Sequence, residues 1–308
     1  MKKNFEIKQT KEKYEMKEKE VDLMNLSEEK ENTIALIFKY LETMGNILRW
    51  IEKEETFYLY SNNVWIKIST NELLNNFTTY AKNNEMYKLC SKTACSQFIH
   101  IVKTQSPFFN VSWPVNEKIN IPLKNGVLDL ETKKLKPHFF KENNKFILPF
   151  NWLEEKITTD KFPEIFKWLQ FITNNDPLFI DFLLKLIYQC LTGNKNQFII
   201  NLVGPGGTGK STLILLIKSL IGNNNMHPTN IHTLENNRFE TSQIKDKLVV
   251  VVNDSAHYTG EISVLKSISG GDPIRYEEKF KASTAPFVFY GVGFIVSNEI
   301  IKPAGKVP

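Results

Sequence analysis

Gly204-Pro205-Gly206-Gly207-Thr208-Gly209-Lys210-Ser211, preceded by Phe198-Ile199-Ile200-Asn201-Leu202-Val203 and followed by an apolar run from Thr212 to Ile221, decides how the second half of this chain folds. The run before the glycines reads as a strand and the run after them as a helix. The eight residues between match G-x-x-x-x-G-K-[ST] at every fixed position. Glycines let a backbone approach phosphate oxygens closely, and successive N–H groups together with the positive end of the following helix surround a β-phosphate. In that pattern Lys210 reaches the β- and γ-phosphates and the Ser211 hydroxyl helps hold Mg²⁺, so ATP with Mg²⁺ is the expected ligand. Gly204, Pro205, Gly206, Gly207, Thr208, Gly209, Lys210, Ser211 and Thr212 form the expected binding segment.

Downstream, Leu248 to Val252 is a second wholly apolar run. Continuous apolar strands separated by a helix predict a parallel sheet buried on both faces. This strand leads into Asn253-Asp254, which puts a carboxylate at the C-terminal end of a core strand, where ligands of open parallel sheets bind. Asp254 is expected to orient Mg²⁺ or polarise an attacking water; an aspartate capping the next turn is the alternative. Leu265 to Arg275 (LKSISGGDPIR) and the following Glu277-Glu278-Lys279-Phe280-Lys281 read as a helix, a Gly-Gly-Asp-Pro turn and a basic hairpin. Lys266, Lys279 and Lys281 are the expected contacts to single-stranded DNA phosphates, with plain solvated surface as the competing reading. Phe287 to Ser297 reads as another buried strand. It ends at Asn298, whose amide can sense a γ-phosphate or simply form a turn.

Upstream, residues 1–30 are a charge-mixed arm rich in Lys and Glu. The spacing from Ser27 through Ile34, Phe38, Leu41, Leu48 and Ile51 predicts one amphipathic helix. Phe57 to Ile68 reads as a hairpin around Asn62-Asn63, because Asn tolerates positive φ. Asn71 to Lys103 returns to helical spacing, and Ile119 to Phe150 predicts short strands around Asn125-Gly126. Phe162 to Leu191 predicts two helices split at Asp176-Pro177. The expected division is an arm (1–30), a small α+β domain (31–150), a helical linker (151–195) and a nucleotide-binding core (196–308).

The 308 residues carry 39 Lys and Arg against 34 Asp and Glu, a formal +5 that mildly favours polyanions. The N-terminal arm has no apolar core and no apolar run is long enough to span a bilayer, so an intracellular, soluble protein is expected. Cys90, Cys95 and Cys190 match no zinc spacing even with His100 nearby, which leaves reduced thiols as the expectation. No paired acidic motif with flanking histidines in residues 1–150 suggests priming chemistry.

Taken in order, GPGGTGKS, LVVVVND, LKSISGGDPI with the following lysines, and FIVSN resemble the Walker A, Walker B, B-prime and C motifs of superfamily 3 helicases of the phage, plasmid and poxvirus primase-helicase type. NGVLDLET (125–132) and FYLYSNNVWIKI (57–68) are similar to segments that precede the helicase core in that family. The resemblance implies an α/β fold with a P-loop AAA+ type core, a homo-oligomeric ring, usually a hexamer, and ATP-driven movement on single-stranded DNA during replication. Lys210, Asp254 and Asn298 would be its catalytic residues, with Ser211 and Asp254 at the metal. Thr208 stands where the family usually has Asn, and Asp254 where Glu is usual. The family's arginine finger follows motif C, whereas the ten residues after Asn298 contain no Arg, so slow hydrolysis is expected. A module that binds ATP and DNA without efficient turnover is the alternative. A small-molecule kinase would need an arginine-bearing lid, and only Arg238 and Arg275 follow the loop.

Overall fold

The computed structural model describes residues 33–105, 107–113, 120–154, 163–193, 198–253, 258, 260–278 and 285–299. They fall into two compact units: residues 33–60 with 66–113, and residues 61–65 with 120–299. The chain thus divides after Trp113, ahead of the boundary expected near residue 150. The reason is packing: Ile121, Leu123, Leu128 and Leu148 share a core with the helices and strands of the glycine-loop half.

The first unit opens with helix α1 (33–44). The single helix expected to run on to Ile51 is not formed, because Gly45 at φ 54° turns the chain and Leu48–Ile51 becomes strand β1. β1 pairs antiparallel with β2 (Thr56–Ser61) and parallel with β4 (Phe109–Asn110), partners that helical spacing cannot reveal. β3 (Val64–Ile68) completes the order β3-β2-β1-β4, and Asn62 and Asn63 make the expected hairpin turn at φ 50° and 68°; this tip, residues 61–65, is the part of the hairpin grouped with the second unit. Helices α2 (Thr70–Asn83) and α3 (Lys92–Thr104) start at Ser69 and Ser91, whose side chains accept the N–H of Glu72 and Ala94. Phe77 and Phe98 stack at 4.3 Å between ring centroids, next to Tyr40, whose hydroxyl is pushed up to about 12 by burial and the neighbouring Tyr80. Burial also pushes the Cys95 thiol up, with Cys90 adding to it. Raised thiol pKa values mean little thiolate and low reactivity. Among the described residues no group of three His, Cys, Asp or Glu is placed to hold a metal ion.

The second unit begins with a three-stranded antiparallel sheet, β5 (Asn120–Leu123), β6 (Gly126–Asp129) and β7 (Leu135–Lys136). Helices α4 (Pro163–Ile172) and α5 (Pro177–Thr192) follow, and Asp176 caps α5 ahead of Pro177 by accepting from the N–H groups of Leu178 and Phe179. The parallel sheet is then built from β8 (Ile199–Val203), β9 (Met226–Asn230), β10 (Val249–Asn253) and β11 (Val292–Ser297), ordered β8-β11-β10-β9. Helix α6 (Lys210–Ile221) follows β8, α7 (Ile231–Asn236) and α8 (Glu240–Ile244) follow β9, and α9 (Ser263–Gly270) follows β10.

The four valines of β10 explain the layering. Val249 and Val251 point into a core shared with α4, α5 and α6, while Val250 and Val252 point into one shared with α7, α8 and α9. Strand side chains alternate faces, so an uninterrupted apolar run needs cover on both. Burying each such side chain contributes about 1.5–3 kcal/mol. β8 departs from this expectation: it is just as apolar but lies at the sheet edge, and Asn201 and Val203 are exposed. No helix among the described residues is long and apolar enough to cross a membrane.

Candidate functional site

Because the four strands β8 to β11 run parallel, their C-terminal ends lie together. Val203 pairs with Ser297, Val296 with Asn253, and Asn253 with Asn230. At this end Gly204 to Gly209 leaves β8 and enters α6. Gly207 and Gly209 sit at φ 82° and 88°, a region costly for any residue with a Cβ, and this curls the loop back over the helix start. Thr208 Oγ1 donates to Pro205 O at 3.0 Å and ties the curl together.

Helix α6 starts at Gly209 without a side-chain cap. By contrast, side chains satisfy the first turns of α2, α3, α5 and α7. The first N–H groups of α6 have no acceptor within the helix and carry the positive end of its dipole, so they form a donor set for an anion. Around Gly206 and Gly207 an added Cβ would meet nothing within 4 Å, which leaves space beside the loop.

The Lys210 ammonium lies inside this curl, donating to Gly204 O, to Pro205 O at 2.9 Å and to Asn298 Oδ1 at 3.3 Å. Two residues expected from sequence to act together, 88 positions apart, are therefore in contact. The inserted strand explains it: β11 lies between β8 and β10 and delivers Asn298 beside the loop. Ser211 and Thr212 line the same cleft, of about 990 Å³, with Asn253, Ser297 and Asn298. A wall that sequence reading did not anticipate comes from α4, whose Trp168, Phe171 and Ile172 face the cleft.

Asp254, Lys279 and Lys281 lie outside the described residues. Asp254 directly follows Asn253 at the strand end that opens into the cleft. Lys266 lies on α9. Lys279 and Lys281 fall in sequence between Ile274 and Phe287, two residues that bridge each other antiparallel. Strand β9 escaped sequence reading because Met-His-Pro-Thr-Asn is polar and holds a proline, both features of an edge strand.

Residues 202–306 match the model of a family of unknown function (DUF5906). The fold resembles the apo A form of the NrS-1 C-terminal region at TM-score 0.55 and 17% identity, over 87% of this chain and 57% of that one. A second apo structure of the NrS-1 C-terminal region (305-718) matches at TM-score 0.51 and 16% identity, over 85% and 56%. The chain therefore spans a little over half the length of these neighbours, and the likeness is one of fold.

Proposed function

We propose that the second unit binds ATP with Mg²⁺ at Gly204–Thr212 and acts as the P-loop AAA+ type core of a superfamily 3 helicase-like motor, working on single-stranded DNA during replication as a homo-oligomeric ring. The observation that carries this reading is the meeting of Lys210, the uncapped start of α6 and Asn298 in one cleft at the C-terminal ends of a parallel sheet. Phosphate oxygens would take over the Lys210 bonds to the loop carbonyls, so that the ammonium shifts from Gly204 and Pro205 to the β- and γ-phosphates. The α6 N–H groups would hold the β-phosphate and the Asn298 amide would contact the γ-phosphate. Ser211 and Asp254 are oxygen donors of the kind Mg²⁺ takes, and the ion would neutralise charge on the transferred phosphoryl group. Asp254 would also polarise the attacking water. Lys266, Lys279 and Lys281 would neutralise DNA phosphates, so binding should depend on salt far more than on base sequence.

The test pairs two titrations. Lys210→Ala should abolish binding of Mg-ATP and leave single-stranded DNA affinity intact, whereas Lys279→Ala with Lys281→Ala should weaken DNA binding and flatten its salt dependence. Equal Mg-ATP affinity of wild type and Lys210→Ala would overturn the nucleotide site, and an unchanged salt slope would overturn the hairpin as the DNA contact. DNA-stimulated release of phosphate separates a motor from a binding module without turnover.

A further inference from the structure

The α4 wall of the cleft has no role in holding phosphates or metal, yet its composition is specific. Trp168, Phe171 and Ile172 occupy positions i, i+3 and i+4, hence one face of the helix. Trp168 and Ile172 are partly buried against the core, which fixes that face in place. Phe171 is 83% exposed. A phenylalanine standing that far out of a folded surface forgoes the stabilisation that burial gives an aromatic ring. The face also abuts the glycine loop: a Cβ on Gly209 would come within 3.3 Å of Ile172 Cγ2. Trp168 lies one turn back along the helix, about 6 Å along its axis.

We infer that this face is the nucleobase platform of the site, with the Phe171 ring stacking on the base of a nucleoside triphosphate whose phosphates lie in the Gly204–Ser211 loop. The inference rests on the nucleotide reading above and adds a consequence for specificity. Among the described lining residues, most polar side chains belong to the loop, the start of α6 and the strand ends, while α4 offers ring and aliphatic surface whose one hydrogen-bonding group is the Trp168 indole N–H, a donor only. Every base has a π-face, so stacking on the Phe171 ring holds all bases and favours the larger purines. Base identity is read only weakly at this site.

Titrations of wild type, Phe171→Ala and Phe171→Trp with Mg-ATP, Mg-GTP and Mg-tripolyphosphate test this. Tripolyphosphate carries the phosphates without base or sugar. Wild type should bind ATP and GTP within about threefold of each other and both more tightly than tripolyphosphate. Phe171→Ala should weaken both nucleotides roughly five- to a hundredfold, leave tripolyphosphate unchanged, and be rescued by Phe171→Trp. Phe171 is exposed, so its removal opens no core cavity.

Unchanged nucleotide affinity in Phe171→Ala would overturn the platform. So would a loss accompanied by a change of sedimenting mass, which would mark the ring as a contact between copies. A tenfold or greater preference of wild type for ATP over GTP would overturn the weak base reading. Failure of wild type to bind both nucleotide and tripolyphosphate would instead sink the underlying nucleotide assignment.

Discussion

Asp129 shows how a motif residue can be structural. Its carboxylate accepts the Lys136 ammonium at 2.6 Å and the N–H groups of Glu131 and Thr132, which turns the chain from β6 toward β7. These bonds, Lys136 first, hold its carboxyl well below the ordinary value of 3.8. A depressed folded pKa stabilises the fold above the unfolded pKa, and that contribution is lost as pH falls through the folded one. Asp129→Asn should therefore melt lower than wild type at neutral pH, and the gap should close as the solution is acidified below 3.8. Melting curves across that range decide; a gap independent of pH would show that the charge is not what matters. Neighbouring Asn125 clamps the Trp152 backbone through paired bonds of 3.0 and 2.9 Å. The NGVLDLET string was legible as a turn between strands, but its place in a sheet that shares a core with α5 and α6 was not.

Among the elements, α9 depends on a contact distant in sequence. Glu235 of α7 accepts the N–H groups of Val264 and Leu265 at 2.9 and 3.0 Å and the Ser263 hydroxyl at 3.1 Å, so a carboxylate caps the positive end of the helix. Two further contacts tie the segment after α7 to the residues that follow α9: Lys245 Nζ donates to the Tyr276 hydroxyl at 3.0 Å, and Arg238 pairs with Glu277 at 3.4 Å. Removing the cap as Glu235→Ala should cost about 1–2 kcal/mol of stability, and Glu235→Gln, which keeps acceptor oxygen but not charge, should cost less. Denaturant titrations measure both. Equal losses would mean that packing of α7, not its charge, anchors α9. Helix and turn around the Gly-Gly-Asp-Pro string follow from local sequence; the glutamate that caps the helix does not, because a carboxylate on another helix leaves no periodic signal.

At the scale of the whole molecule the two units have separate cores, one around Phe77 and Phe98 and the other on the two faces of the parallel sheet. Calorimetry should therefore resolve two unfolding transitions. Mg-ATP at about 100 times its Kd should raise one of them by about 2.7 kcal/mol of binding free energy and leave the other in place. A single transition that shifts as a whole would mean that the units unfold together. Local sequence was enough to place the strand, glycine loop and helix at 198–221, the apolar β10, the Asn62-Asn63 hairpin and the helix break at Asp176-Pro177. Each of these is written in local backbone preference or in side-chain periodicity. Long-range packing was needed to make β1 a strand, to insert β11 between β8 and β10 so that Asn298 reaches Lys210, and to set Phe171 of α4 in the cleft beside the glycine loop. Those outcomes come from pairing and packing between segments tens of residues apart, whose energy depends on which surfaces meet and not on the spacing within either segment.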